Sequence, residues 1–300
     1  MQFMKIVLVG IGQIFLQENG LSGLIIFIAM FFSHWTLAIG CLLGSIIGTI
    51  IAIKFHYPEN EIKQGLYGFN ASLAFMCTMF TFGLNGISPL IFFLGIVSSA
   101  VATIIMREFT KRNRVAYTFP FVLTCWIFCW GAAQIGLFGL SQTTPNLIDH
   151  TATLDSINQP FYAWAEVNFG SSLVTGLFLF IAIAINSPIA AIWGMTATII
   201  SPFIADCLFK IEPNQLANGI YSFSAILVAC AFAGNRLRDF VYVIIGIILA
   251  IFIQFVIAQT GLAPYTIGFI VSSWFVLWFK NKVDHSKLNS KKITHLFNPK

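Results

Sequence analysis

Two short polar segments carry the side chains whose chemistry is most unusual for this sequence. Gln13 and Glu166 each offer an acceptor oxygen, and they stand 153 residues apart in matching stretches that also align Ser22 with Thr175. In both copies the polar residue precedes a long apolar helix. Polar groups in hydrocarbon need partners or a water-filled path. We therefore expect Gln13 and Glu166 to face each other across a pore; the alternative is that each ties its short segment to a neighbouring helix.

Two threonines repeat at nearly the same spacing. Tyr117-Thr118 matches Tyr265-Thr266 at 148 residues, so the two hydroxyls would add oxygens to those of the polar segments. Such an array suits a small solute rich in N–H donors, because each donor that loses water must find another acceptor. A membrane threonine can instead donate back to a carbonyl of its own helix, and this alternative stays open.

Two phenylalanines occupy matched positions in a third repeated motif. Phe69 and Phe223 stand 154 residues apart, within Gly65–Leu73 and Gly219–Leu227. Rings at these positions would flank a path from two sides and admit only a thin, flat molecule. Because the chain has 32 phenylalanines, ordinary packing or lipid contact is the alternative for either ring.

The composition defines the class of protein. Only 9% of residues are charged, 58% are hydrophobic and the mean hydropathy is +0.86. A soluble fold needs more charge to cover its surface, whereas recurring apolar runs of about 20 residues indicate a helical membrane protein. The basic residues lie in loops and tail, so the sequence offers no basic folded surface for nucleic acid.

The apolar runs predict a regular order of elements. The segments 3–16 and 161–169 are shorter than the roughly 17–25 residues of a span. They suit re-entrant half-helices, which are tolerated at membrane depth when they are buried in protein or line a cavity. Five spans follow each one. The sequence thus predicts an all-α polytopic membrane protein of about ten spans, an inverted repeat of two five-helix units, each preceded by a re-entrant pore half-helix.

The order of apolar and polar runs divides the chain into four parts. Residues 1–140 form the first repeat and residues 160–280 the second, inverted repeat. Between them, residues 141–159 are polar, lack Lys and Arg, and are expected to form an extracytoplasmic linker. Residues 281–300 are expected to form a basic cytoplasmic tail.

The distribution of basic residues predicts the orientation. If the chain crosses the membrane ten times, all of its 16 Lys and Arg residues except Lys210 fall on the side of the N-terminus. Basic loops are typically cytoplasmic. We therefore expect both termini in the cytoplasm of a multi-pass plasma-membrane protein. Inverted repeats are typical of transporters, with the solute site near the midplane between the repeats.

The sequence lacks the motifs of several other classes. The six cysteines lie in apolar runs, where small, polarizable packing is the expected role, so no metal site or disulfide framework is predicted. There is no Walker loop, Gly-x-Ser-x-Gly or His-Glu-x-x-His motif. We therefore expect neither an enzyme nor a cofactor. A purely structural membrane scaffold is disfavoured by the paired polar segments.

The repeated motifs resemble those of the urea transporter family. Its Leu-Pro-x-x-Thr-x-Pro-Phe motif is similar to Arg114–Phe121 and Leu262–Phe269, where the Thr and the final Phe are kept in both copies. The opening Leu-Pro is lost in the first copy and the later Pro in the second. The resemblance covers nearly the whole chain. It implies that the solute is bound by ten residues: Gln13, Leu16, Phe69, Leu73, Thr118, Glu166, Phe169, Phe223, Leu227 and Thr266.

The resemblance also implies an activity and an assembly. It predicts passive, channel-like transport of urea by a homotrimer with one pore per subunit, in the lipid of a bacterial inner membrane. Urea is neutral and planar, so a line of oxygens can replace its water along one edge while aromatic rings cover its faces. Two alternatives remain: a pore for another small neutral solute such as a short amide, ammonia or water, and a proton-coupled importer that uses Glu166.

Overall fold

The computed structural model describes residues 2–84, 88–140 and 158–297, of which residue 88 and residues 284–297 are described by their backbone alone. Within these ranges every regular element is helical. Of the predicted linker, only Asn158 and Gln159 are described. The polar, extracytoplasmic character predicted for residues 141–157 therefore stays a prediction.

The helices of the two halves follow each other in the same order. The first half has α1 (Gln2–Gly12) with a 3₁₀ turn (Gln13–Phe15), α2 (Gly20–Ser33), α3 (Trp35–Lys54), α4 (Glu59–Lys63), α5 (Phe69–Phe82), α6 (Ser88–Lys111), α7 (Phe119–Cys125), a π-helical segment (Trp126–Trp130) and α8 (Gly131–Gln134). The second half has α9 (Gln159–Glu166), α10 (Leu173–Asn186), α11 (Pro188–Phe209), α12 (Pro213–Ala217), α13 (Phe223–Phe232), α14 (Leu237–Gln259) and α15 (Ile267–Phe297).

The long helices have the length and hydropathy of membrane spans. Among the described residues, α3, α6, α11 and α14 are long and apolar enough to cross a membrane by themselves. The first helix and its 3₁₀ turn meet α2 at 76°, the geometry of a broken span or a re-entrant loop. Several other apolar helices are shorter than a span, including α5, α10 and α13. The predicted count of about ten spans therefore stays a prediction.

The bend between α1 and α2 follows from local sequence. Asn19 has extended backbone, and its side-chain oxygen accepts from the backbone N–H groups of Leu21 and Ser22, which caps the start of α2. At the crossing, Gly23 lies so close to α1 that a Cβ atom there would stand 1.8 Å from the Leu8 carbonyl oxygen. The helix pair can therefore cross at this point only because residue 23 is glycine.

The second half repeats this crossing. A Cβ atom at Gly176 in α10 would stand 1.7 Å from the carbonyl oxygen of Phe161 in α9. The two glycines are 153 residues apart, the same spacing as Gln13 and Glu166. In both halves, the glycine fixes where the short helix lies against the next one, and with it the position of the short helix's polar end.

Reciprocal hydrogen bonds join the two halves along α2 and α10. The Ser22 hydroxyl donates to the Ala182 carbonyl at 2.7 Å, and the Thr175 hydroxyl donates to the Ala29 carbonyl at 3.0 Å. Both donors and both acceptors are 153 residues apart. Each half therefore supplies the donor that the matching carbonyl of the other half requires.

A second reciprocal pair joins the regions around the two Tyr-Thr motifs. The indole Nε1 of Trp126 donates to the Ala263 carbonyl, and that of Trp274 donates to the Val115 carbonyl, both at 2.8 Å. The donors and the acceptors are again equally spaced, here by 148 residues. These bonds hold the segments before α7 and α15 against each other.

The helices α5 and α13 form the centre of the protein. Nearly every side chain of α5 and most of those of α13 are buried, which is typical of a helix surrounded by other helices. Large apolar side chains are exposed instead on the long outer helices, as at Phe93 (63%) on α6 and Phe203 (74%) on α11. Such surfaces suit contact with lipid.

Left-handed backbone occurs at matched positions of the two halves. Five pairs of residues with positive φ are separated by 148 to 154 residues: Leu16 and Phe169, His56 and Lys210, Gly65 and Gly219, Asn113 and Gly261, and Tyr117 and Tyr265. A non-glycine residue with this backbone costs about 1–2 kcal/mol. Because left-handed backbone occurs at matched positions of the two halves, the halves have similar local backbone conformations there.

Candidate solute site

The first polar segment ends in a fixed geometry. Leu16 has left-handed backbone (φ 61°), and its N–H donates to the Gln13 carbonyl at 3.0 Å. The side-chain Nε2 of Gln13 donates to the Gln64 carbonyl at 2.8 Å. No donor among the described residues contacts the Gln13 Oε1. The amide is therefore oriented by its nitrogen and keeps its oxygen available to a ligand.

The second polar segment ends in the same way. Phe169 also has left-handed backbone (φ 63°), and its N–H donates to the Glu166 carbonyl at 3.1 Å. Gly170 donates to Ala165, as Gln17 does to Gly12 in the first half. The Glu166 carboxyl is partly buried and accepts no hydrogen bond from the part of the chain that the structure describes. Its oxygens, like that of Gln13, remain open to a ligand.

The two motif threonines meet each other. The hydroxyls of Thr118 and Thr266 lie 2.7 Å apart in a hydrogen bond, and both residues are buried. Each threonine follows a tyrosine with left-handed backbone, Tyr117 (φ 49°) or Tyr265 (φ 39°). The hydrogen bond uses one proton and one lone pair, so the pair retains both a donor and acceptor capacity for a third group. This contact joins the two halves of the chain at their matched motifs.

Four of the predicted site residues line one cavity. It has a volume of about 200 Å³ and lies against the end of the short helix α9, where residues of both halves meet. Glu166, Phe169, Phe223 and Thr266 face it. The other residues that line it are Phe80, Phe121, Val167, Ile220, Ala263, Pro264 and Tyr265.

The remaining predicted residues lie outside the lining of this cavity. Thr118 is joined to it through the Thr266 hydroxyl. Gln13 and Leu16 stand at the end of the other short helix, and Phe69 begins the buried helix α5. The fully buried side chains of Leu73 and Leu227 lie one turn beyond the two matched phenylalanines, on α5 and α13 respectively.

The seven other lining residues were not among the predicted site residues. They include Tyr265 and Phe121, which belong to the repeated motifs, although only the threonines of these motifs were predicted to bind the solute. Asn70 positions the first motif: its Nδ2 donates to the Tyr117 carbonyl, and its Oδ1 accepts from the Phe121 N–H, both at 3.1 Å. Asn70 carries the one amide side chain of α5, and this was the available signal for its role.

The chemistry of the cavity suits a neutral molecule that donates hydrogen bonds. Its walls are aromatic and aliphatic, with oxygens from Glu166, Thr266 and Tyr265, and none of its lining residues is Lys or Arg. An anion would find no basic partner there. A flat molecule could place its faces against Phe223, Phe169 and Phe121 while its N–H groups meet the oxygens.

Comparison with known proteins agrees with this chemistry. The sequence model of the family described as "Urea transporter" matches residues 4–281. The chain belongs to the urea transporter family. That family consists of transporters, in line with the prediction that the chain is not an enzyme. The apolar helices of this chain are those of a membrane protein.

Individual relatives are distant. Urea transporter 1 of Rattus norvegicus is 22% identical over 251 residues, which cover 78% of this chain and 64% of that protein. Urea transporter 1 of Mus musculus is 21% identical over the same lengths. A shorter stretch of 74 residues is 35% identical to urea transporter 1 of Ovis aries and covers 25% of this chain and 19% of that protein. The matched part of the chain thus spans less than two thirds of the length of the first two relatives.

Proposed function

We propose that this urea transporter family member conducts urea passively across a membrane, through a narrow pore between its two halves. The observation that carries the proposal is the hydrogen bond between Thr118 and Thr266, which joins the two repeat motifs beside a cavity lined by Glu166 and Phe223. Family membership and the names of the relatives support urea as the solute.

The proposed path has three groups of oxygens. Gln13 Oε1 and the Glu166 carboxyl are the outer stations, one from each half, and the threonine pair is the midpoint. Urea that sheds its water loses hydrogen bonds, each worth a few kcal/mol in an apolar place if it is not replaced. The oxygens replace them along one edge of the molecule, and weak binding at several stations allows the solute to leave again.

The aromatic rings define the shape that can pass. Phe69 and Phe223, with Phe169 and Leu16, are proposed to form slots on either side of the midpoint. Leu73 and Leu227 support these slots from the next turn of α5 and α13. A slot of this kind admits a planar solute and resists a bulkier one, so selectivity follows from both thickness and hydrogen bonding.

The proposed architecture is a duplicated unit in opposite orientations. The five pairs of left-handed residues, the two crossing glycines and the reciprocal hydrogen bonds support a structural repeat. Five spans in each half would invert the second half and place both termini in the cytoplasm. We further propose a homotrimer in the plasma membrane with one pore per subunit. Native mass spectrometry from detergent would test this assembly.

Liposome reconstitution tests the function. We expect proteoliposomes that shrink in a urea gradient to recover volume rapidly, faster than protein-free liposomes and without any ion gradient. Thiourea and glycerol serve as comparison solutes. The variant Thr196→Val is the matched control, since the Thr196 hydroxyl donates to the Ile192 carbonyl of its own helix at 2.9 Å and takes no part in the proposed path.

The outcomes separate the candidate functions. Fast urea flux without an ion gradient supports a passive pore. Flux that requires a proton gradient would instead support coupling through Glu166. Equal flux of urea, glycerol and water, or rapid flux of ammonia alone, would contradict urea selectivity.

A further inference from the structure

Three cysteine thiols meet in the interior of the first half. The sulfur atoms of Cys77 on α5, Cys125 on α7 and Cys129 in the π-helical segment lie within 4.8 Å of one another. All three side chains are completely buried, and all are free thiols. The sequence predicted independent packing roles for the cysteines, so this cluster is a finding of the structure.

Hydroxyl groups lie beside two of the three sulfurs. The Thr78 hydroxyl lies 3.5 Å from the Cys129 sulfur, and the Thr81 hydroxyl lies 3.9 Å from the Cys77 sulfur. The Tyr265 hydroxyl also faces the Cys77 sulfur. The Thr78 hydroxyl donates its proton to the Ala74 carbonyl at 3.0 Å, and the Thr81 hydroxyl donates to the Cys77 carbonyl at 2.8 Å. Toward sulfur, each of these oxygens therefore accepts from a thiol S–H group. The thiolate, rather than the thiol, is the form of cysteine that binds metals.

The repeat itself does not require these thiols. At the spacings of 154 and 148 residues, the second half has Ala231, Ser273 and Leu277 where the first half has its three cysteines. The same helix arrangement is therefore packed without sulfur in the second half. Cys125 and Cys129 lie one turn apart and so face the same side. The π-helical segment continues from Cys125, and such segments frequently accompany functional sites.

We propose that Cys77, Cys125 and Cys129 form a binding site for a soft metal ion of low coordination number, namely Cu(I). A metal–sulfur bond of about 2.3 Å in a planar set of three places the sulfurs about 4.0 Å apart, a small contraction from the observed arrangement. Thiolates select soft ions such as Cu(I). Zinc usually takes four ligands, and no fourth His, Cys, Asp or Glu joins the cluster in the part of the chain that the structure describes.

Binding exchanges thiol protons for the metal without oxidation or reduction. Each thiol that becomes a thiolate releases one proton to water, so a Cu(I) ion held by two thiolates and one thiol releases two protons. That site carries a single negative charge, toward which the Tyr265 hydroxyl can donate. A third deprotonation would add charge in an apolar interior, which is costly.

The metal site adjoins the cavity of the proposed pore. Tyr265 faces the Cys77 sulfur and also lines the cavity, and Phe121, another lining residue, stands one turn before Cys125. A bound ion would draw Cys125 toward Cys77 and thereby shift Phe121, which stands one turn earlier in the cavity wall. This effect on flux rests on the proposed urea function, whereas metal binding does not.

Copper binding is measured on the purified full-length chain, with Cu(I) supplied in a chromophoric chelator as competitor. The variant C41S/C207S/C230S keeps only the three clustered thiols. The variant C77A/C125S/C129L carries at the cluster the residues that the second half has at the matched positions. We expect the first variant to retain one copper per chain with a sulfur-only shell in X-ray absorption. We expect the second to bind at least 100-fold more weakly.

Binding that is equally tight in both variants, or absent from the first, would overturn the proposal. Gel filtration and thermal unfolding check that the variants fold, and Cys129→Ser replaces the triple variant if that one does not. In liposomes, Cu(I) should slow urea flux at least fivefold through the variant that keeps the cluster and leave the other unchanged. Copper binding without any effect on flux would refute the coupling alone, and copper binding by a protein that never conducts urea would refute the proposed function alone.

Discussion

The two halves of the molecule have the same backbone conformation at several matched positions and differ in the polar groups that they present there. Both end their short helix in a left-handed residue three positions after the polar side chain, and both place a threonine directly after a left-handed tyrosine. However, the first half presents the Gln13 amide, tied by its nitrogen to the Gln64 carbonyl, and the second presents the Glu166 carboxyl, which has no described partner. The backbone geometry of the site is thus the same in both halves, whereas the polar group at the end of each short helix differs.

A second difference concerns the support behind the threonines. In the first half, Asn70 bridges the Tyr117 carbonyl and the Phe121 N–H. The matched residue in the second half is Ser224, whose buried hydroxyl contacts no partner among the described residues. The first motif is therefore held by side-chain hydrogen bonds that the second motif lacks.

The largest effect is expected where the halves are the same. Gly23→Ala and Gly176→Ala would each push a Cβ atom to within 2 Å of a carbonyl oxygen (1.8 and 1.7 Å), so the helix crossing cannot form without backbone movement. We expect each variant to yield at least tenfold less folded protein in gel filtration. Gly139→Ala is the control, because a Cβ atom there meets nothing within 4 Å. A well-folded Gly176→Ala beside an unfolded Gly23→Ala would show that the halves are not equivalent at this crossing.

Substitutions in the threonine pair are expected to affect stability and urea flux differently. Thr118→Val leaves the Thr266 hydroxyl buried without its partner, at a cost of about 1–3 kcal/mol. The double variant T118V/T266V removes both polar groups and should regain most of that stability. Its urea flux should nevertheless fall about 100-fold, since the midpoint would offer no oxygen. Flux by shrink–swell and thermal unfolding measure the two effects, with Thr196→Val as control; normal flux through the double variant would exclude a threonine midpoint.

Giving each half the polar group of the other, at Gln13 and Glu166, tests whether the difference between the amide and the carboxyl affects urea flux. Gln13→Glu loses the donor to the Gln64 carbonyl and brings two acceptors together, so we expect a loss of about 2 kcal/mol in stability and about tenfold in urea flux. Glu166→Gln breaks no described hydrogen bond and should lower flux only a few-fold at unchanged stability. The measurements are urea flux and melting temperature at equal protein in the liposomes. Equal losses from both changes would contradict the asymmetry, and unchanged flux in Glu166→Gln would exclude that residue as a station.

The smallest effect on urea flux is expected at Asn70 and Ser224, the matched residues next to the threonine motifs. Asn70→Ser copies the second half and removes two hydrogen bonds to the backbone of the first motif and a longer one to the Met106 sulfur. The free energy of unfolding should therefore fall by about 1–2 kcal/mol. Urea flux should fall about twofold, because Thr118 loses its support. Ser224→Ala is the matched control and should change neither quantity. If Asn70→Ser unfolds at the wild-type temperature, the bridge does not stabilise the motif.

The family and the order of helices could be predicted from sequence because both depend on local patterns. Family membership is confirmed, and the short segments predicted at 3–16 and 161–169 are α1 with its 3₁₀ turn and α9. The spacing of 148 residues between Thr118 and Thr266 indicated equivalent positions, although the direct contact between their hydroxyls depends on how α7 packs against α15. The roles of the ten site residues stay a prediction.

Features that depend on packing between distant segments were missed. Nothing local marks Gln64 as the partner of Gln13, because the acceptor is a backbone carbonyl that any residue could supply. Cys77 is separated in sequence from Cys125 and Cys129, and only the packing of α5 against α7 brings their sulfurs together. Tyr265 was passed over because its role in the cavity follows from a backbone angle that the sequence does not reveal for a tyrosine.

The reciprocal bonds between α2 and α10 have a consequence for biosynthesis. The Ser22 hydroxyl and its acceptor, the Ala182 carbonyl, are separated by 160 residues. At about 5–20 residues per second, the ribosome delivers that acceptor roughly 8–30 seconds after the serine. During this interval the first half is inserted with a donor that only the later half can satisfy. The bonds between α2 and α10 can therefore form only after residue 182 has been added, so the two halves associate after the first has been inserted.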